Sequence, residues 1–172
     1  METYRKGEYV RYAVNGVCLV EDIRKDAVSR GKEPREFYVL KPVADPGSTI
    51  LVPTDSEPLL AKMARLPDRE ELDRMILSTK DATLEWIDDR KLRAASFQAM
   101  VKTADLRELI CLVGCIYRKR LELTSAGKKL SSSDEGILRR AESLIENELA
   151  FVLQIEGDQV GSYIREKLEI RA

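Results

Sequence analysis

The residue types able to do chemistry are few. The chain has no histidine, which removes the commonest general base, the commonest metal ligand and every Ser/His or Cys/His nucleophile arrangement. An enzyme built on it would need carboxylate, lysine or tyrosine chemistry. The pairs Asp88–Asp89 and Glu70–Glu71 are adjacent in sequence, so on a helix their side chains diverge by about 100°. That is poor geometry for an acid/base dyad and suits a solvated face or a helix start better. Cys111 and Cys115 stand i,i+4, on one helix face, but a metal there would need Cys18 or carboxylates to complete its shell, and buried apolar thiols are the simpler reading. The glycines form no phosphate-cradling pattern. No catalytic, cofactor-binding or metal-binding residue is assigned, and no cofactor is expected.

The basic residues and the single tryptophan carry more. Residues 86–140 hold 12 Lys+Arg against 7 Asp+Glu, whereas residues 141–172 hold 3 against 7. The middle segment is therefore the place for an anionic partner. Within it Arg118-Lys119-Arg120 closes one expected helix, Lys128-Lys129 lies in the following loop and Arg139-Arg140 in the first turns of the next helix. Gathered at one end of a helix hairpin, they would make a phosphate-contacting edge. As cations near helix C-termini, some would simply complement the dipole. Trp86 sits among charges in ATLEWIDDRKLRA. On a helix running from Thr83 to Lys102 it would share a stripe with Arg90, Arg93 and Phe97, while Leu84, Ile87, Ala94, Ala95 and Val101 would form the core face. Two readings follow: a flat wedge entering a base step between phosphate-holding cations, or a packed indole with Arg90 stacked on it.

These residues must be positioned by two kinds of element. Up to Leu66 the chain reads as strands: VRYAV and VCLVEDI joined across Asn15-Gly16, then EFYVLKPV and STILVP bounded by RGKEPR and ADPGS, with a short strand around KMARL. After Pro67 it reads as helix. Asp68 with Glu71 forms a capping box for REELDRMIL, and STKDAT is a linker. Further helices are expected over 83–102 and 105–123, with TAD as the turn between them. Another, over 134–154, is capped by Ser131/Ser132 with Asp134/Glu135, and a last short helix falls in SYIREKLEI after a break at Gly157. The expected class is α+β, a small, strongly bent sheet or SH3-like barrel over 1–67 followed by an all-α bundle over 68–172. At 172 residues and 44% hydrophobic content the chain can bury a core without staples. Three cysteines at no disulfide-framework spacing, no signal-like h-region and no apolar run of the roughly 18 residues a membrane span needs point to the cytoplasm.

The order of these parts resembles the CarD/CdnL family of bacterial RNA-polymerase-binding transcription regulators, whose N-terminal module is shared with the transcription-repair coupling factor. GEYVRYAVNGV at 7–17 is similar to the family's opening G-D-x-V-V-Y-P-x-H-G-V, and YVLK at 38–41 and ILVP at 50–53 resemble its paired strands. Trp86 falls at the family's Trp, TAD at 103–105 resembles S-G-D, YRKR at 117–120 the basic end of the next helix, and LSSSDEGIL at 130–138 the motif L-S-x-x-E-x-x-x-L. Departures include Ala13, Asn15 and Cys18 in the opening motif, Asp26 and Leu51 where polymerase-facing basic residues are expected, and Asp88–Asp89 just after the Trp. The resemblance implies a non-enzymatic regulator. Its β module would be a Tudor- or SH3-like domain that pairs an edge strand with the RNA polymerase β subunit, with Tyr38, Val39, Leu40, Lys41, Ile50, Leu51, Val52 and Pro53 on the paired strands. Its helical domain would stabilise the open complex by meeting promoter DNA at the upstream edge of the bubble. There Trp86 is the minor-groove wedge, and Arg90, Lys91, Arg93, Arg118, Lys119, Arg120, Lys128, Lys129 and Arg139 are candidate DNA contacts. A polymerase-binding module with little or no wedge activity is the alternative.

Overall fold

A computed structural model describes residues 2–26 and 33–170. The chain divides into two compact units, Met1–Leu66 and Pro67–Ala172.

The first unit is an antiparallel five-stranded sheet made of β1 (Tyr9–Tyr12), β2 (Val17–Asp26), β3 (Arg35–Pro42), β4 (Ile50–Pro53) and β5 (Met63–Arg65), in the order β4-β3-β2-β1-β5. A one-turn helix, α1 (Glu57–Leu60), links β4 to β5. Strand periodicity places alternate residues on one face, and the register stacks them across strands: Val10 opposite Cys18, Tyr12 opposite Met63, Val20 opposite Leu40 and Tyr38 opposite Val52. With Tyr4, these residues form the unit's core. A register shift between Val20 and Asp22 marks a bulge in β2, a device that bends a strand and increases its local twist. The bent sheet and the helices after it make the chain α+β, as the sequence pattern indicates.

The Asn15-Gly16 hairpin expectation needs correction in detail. The reversal is a 3-10 turn over Ala13–Asn15, closed by Gly16 at φ 70. Gly16 takes the left-handed position that the turn requires and that other residues resist, so Asn-Gly is not a two-residue loop here. Part of RGKEPR lies outside the described residues.

The second unit is helical: α2 (Arg69–Ser78), α3 (Arg90–Thr103), α4 (Leu106–Ser125), α5 (Ser132–Leu153) and α6 (Gly157–Leu168). The Asp68/Glu71 capping box opens α2, the Asp105 carboxylate caps α4 and the Ser131 hydroxyl caps α5. Ala104, at φ 52, turns the chain between α3 and α4. Apolar residues at i, i+3 and i+4 face inward, with Leu109, Leu112 and Ile116 on α4 against Ile137, Leu138, Ala141, Ile145 and Leu149 on α5. Arg120 pairs with Glu135 and Tyr117 with Glu142, so α4 and α5 run antiparallel. On α2, Asp73 accepts from Lys167 at 3.1 Å and from the Tyr163 hydroxyl, fastening α6. The break before α6 is Gln154, left-handed at φ 55. Gly157 is the first residue of α6 rather than the breaker. No helix among the described residues is long and apolar enough to cross a membrane.

The expected helix over 83–102 begins at Arg90 instead. Asp89 is its N-cap, accepting from the backbone N–H of Lys91 at 3.0 Å and of Leu92 at 2.9 Å, a bond that defines a helix start. The carbonyls of Ile87 and Asp88, which a longer helix would spend on its own ladder, accept instead from Arg93 Nη1 at 2.8 and 3.2 Å.

Candidate nucleic-acid interface

Trp86 therefore stands on an irregular segment that leads into α3, and the helical stripe with Arg90 does not exist. Its neighbours are set by tertiary contacts. The Arg93 guanidinium carbon lies 4.3 Å from the indole centre and Lys119 Nζ 5.7 Å from it. The Phe97 ring meets it edge-on at 5.9 Å, an arrangement the aromatic quadrupole favours. The ring is half-buried against the helical core. Of the two readings, the stacked indole describes its surroundings, with Arg93 rather than Arg90 as the stacking group.

Arg93 is only 6% exposed. Its Nε and Nη2 each donate to Asp134 at 3.0 Å, and Nη1 serves the two backbone carbonyls. With every nitrogen engaged and the group buried, Arg93 is not available to a phosphate, which corrects its assignment as a DNA contact. Asp134 also accepts from the Ser131 hydroxyl at 2.6 Å. Burial pushes its carboxyl up, but the hydrogen bonds from Arg93 and Ser131 and the nearby charges of Arg93 and Arg90 outweigh that and hold its pKa below the usual aspartate value.

The other candidate cations divide by what they already hold. Arg90 and Lys91 are exposed at the first turn of α3. Arg118 is exposed and donates to the Leu84 carbonyl at 3.2 Å, tying down the segment that carries Trp86. Lys119 is half-buried and pairs with Glu122 at 3.3 Å. Arg120 pairs with Glu135 at 3.0 Å and lies 5.2 Å over the Tyr117 ring, its Nε buried without a partner. Lys128 and Lys129 are exposed in the loop before α5, and Arg139 is exposed on that helix. The Arg93–Asp134 and Arg120–Glu135 bridges bring the start of α3, the second half of α4 and the first turn of α5 together around Trp86. Arg139 sits seven residues into α5, about 10 Å further along its axis.

Asp88 and Asp89 are explained without DNA. Asp89 is the cap, and Asp88 contributes its carbonyl to Arg93 while its residue is exposed. Sequence reading missed the roles of Asp89, Phe97 and Asp134. An Asp followed by helix formers was a visible cap signal, but the apolar spacing of Leu84 and Ile87 argued for a helix through it. The Arg93–Asp134 pair spans 41 residues, and no local pattern reveals it.

In the β unit the residues expected on the paired strands separate sharply. Tyr38, Val39, Leu40 and Val52 are buried, at most 6% exposed, so their side chains are core, which corrects their place among polymerase-contacting residues. Lys41 is half-buried and bonds Thr49 at 2.6 Å. Ile50 and Pro53 are half-buried, and Leu51 is 51% exposed on β4, an edge strand of the sheet. Thr54 N–H donates to the Glu36 carbonyl at 3.0 Å. Antiparallel alternation from that bond turns the backbone groups of Val52 and Ile50 toward β3 and those of Leu51 outward.

Cys18 and Cys115 are buried and Cys111 is half-buried, all three free. Burial pushes all three thiols up, Cys18 to about 11. Among the described residues no cluster of three metal-ligating side chains occurs.

Residues 4–64 match the family model described as CarD-like/TRCF RID domain. By this match the β unit is a CarD-like/TRCF RID domain, a non-catalytic RNA-polymerase-interaction module of transcription-related proteins. A search of curated proteins returned no match.

Proposed function

We propose that the protein is a non-enzymatic transcription regulator that binds the RNA polymerase β subunit through β4 and stabilises the promoter open complex through the helical unit. The observation that carries this reading is the setting of Trp86. It is a half-buried indole on the irregular segment entering α3, with Arg90 and Lys91 exposed just after it in the chain and exposed Arg118 bonded to the Leu84 carbonyl just before it, and with Arg93 and Lys119 set against its ring. An apolar side chain held in place among exposed cations can enter a minor-groove step while its neighbours hold phosphates.

At β4 the exposed Leu51 and its outward backbone groups offer an incoming strand a donor and an acceptor, as strand addition requires. The resulting mechanism is a shift of equilibrium. A protein that binds melted promoter better than closed promoter moves the balance toward the open form by its differential affinity and no more. About 1.4 kcal/mol of difference changes the ratio tenfold. The contact with DNA is the testable part: addition of promoter DNA and polymerase should change Trp86 emission, and an unchanged spectrum in a complex shown to form would leave a polymerase-binding module without a wedge.

A further inference from the structure

We infer that the buried Arg93–Asp134 bridge is a positioning device for Trp86, one that sets the indole before DNA arrives; its DNA consequence rests on the reading above. Both side chains are nearly inaccessible, 7% and 5% exposed. The guanidinium is a rigid planar fork, and here its edges are fully spent. Two nitrogens meet Asp134 at 3.0 Å, and the third holds the Ile87 and Asp88 carbonyls at 2.8 and 3.2 Å. The plane of the fork is thereby fixed, and its carbon lies 4.3 Å from the centre of the Trp86 ring. The same group fixes the backbone immediately after Trp86 and covers the ring itself. A lysine, with three donors on one atom, could supply the charge but could not meet these four acceptor oxygens and cover the ring at once.

Asp134 lies in the first turn of α5 and also accepts from Ser131, the residue that caps that helix. The orientation of Trp86 is thus coupled to the start of α5, 41 residues away from Arg93 in sequence. The indole and its segment are ordered by folding, so that ordering is not charged against DNA binding.

Trp86 is the only tryptophan in the chain, and its exposure to a neutral quencher reads the bridge directly. In the full chain, Arg93→Met combined with Asp134→Leu replaces the pair by apolar side chains of similar size, an exchange that buried ion pairs commonly tolerate without loss of stability. The expected result is a thermal midpoint near wild type, an acrylamide quenching constant for Trp86 raised about twofold as the covering fork is lost, and a polymerase–promoter open complex that decays about tenfold faster. A double variant that melts like wild type and leaves Trp86 quenching unchanged means the bridge only holds helices together and overturns the inference. Asp134→Glu, which keeps the carboxylate, should return quenching toward wild type. If the double variant does not fold, Arg93→Lys takes its place: increased quenching supports the inference and unchanged quenching overturns it. A failed wedge reading looks different. Trp86→Ala would then leave the open-complex lifetime unaltered, while the quenching change in the bridge variants would persist.

Discussion

The Arg93 guanidinium lies 4.3 Å from the centre of the Trp86 ring, and it is held there by bonds that leave none of its nitrogens free. A cation and an aromatic ring at this distance attract by roughly 0.5–2 kcal/mol, more as water is excluded. The contact makes Arg93 part of the fold and leaves Arg90, Lys91 and Arg118 as the exposed cations of the proposed DNA contact.

That division predicts how salt acts. Replacing Lys91 by Ala should weaken polymerase-assisted promoter binding and lower the slope of log affinity against log salt by about one, the value for a lost phosphate contact. Arg118→Ala should do the same and, because the Leu84 carbonyl loses its donor, also raise Trp86 quenching. A Lys91→Ala slope equal to wild type would remove that side chain from the interface.

The start of α3 rests on Asp89. Asp89→Ala removes an acceptor shared by two backbone N–H groups and should cost about 1 kcal/mol in denaturant unfolding, whereas Asp89→Asn should cost only a few tenths. Equal losses for the two variants would mean the charge rather than the cap matters.

Acid should act through Asp134. Its carboxyl titrates below the ordinary aspartate value of 3.8, so the unfolded chain binds more protons in that range and stability falls as the solution is acidified. The stabilisation is complete above 3.8 and is lost as pH falls through the depressed folded value. Trp86 emission should accordingly stay flat from about pH 8 to about 5 and change only under stronger acid. A transition in the middle of that flat range would show that a different group controls the indole.

At the sheet edge, Leu51→Pro and Val52→Pro should behave oppositely. Proline is tolerated at an edge where the N–H faces outward and is destructive where it bonds the neighbouring strand. Leu51→Pro should leave the melting temperature close to wild type yet weaken β-subunit binding about tenfold or more, because strand addition loses its donor. Val52→Pro should unfold the sheet, since Val52 pairs with Tyr38. Full binding by a folded Leu51→Pro variant would exclude backbone pairing along β4.

Much of this architecture was legible in the chain. Runs of β-branched and aromatic residues between turn residues pointed to all five strands, and Asp68, Asp105 and Ser131 marked three helix starts because a cap is a local bond between residues three apart. The segment around Trp86 was not legible for the converse reason. Leu84 and Ile87 have helical spacing, but tertiary bonds from Arg118 and Arg93 to the carbonyls of Leu84, Ile87 and Asp88 engage that segment outside any helix. Within the candidate site the sequence did not separate exposed from buried residues: basic residues 90–91 and 118 are exposed, whereas Arg93 and the side chains of Tyr38 to Leu40 are buried, because burial depends on partners from distant elements. Charge in a sequence does not distinguish an arginine that waits for phosphate from one that already has a carboxylate.

The central claim is that Trp86 stabilises the melted promoter. Its most direct test is the lifetime of the polymerase–promoter open complex with saturating wild-type protein and with Trp86→Ala, after both are shown to bind polymerase equally. The variant should shorten the lifetime about tenfold, the ratio set by some 1.4 kcal/mol of differential binding. Equal lifetimes at equal polymerase occupancy would contradict it.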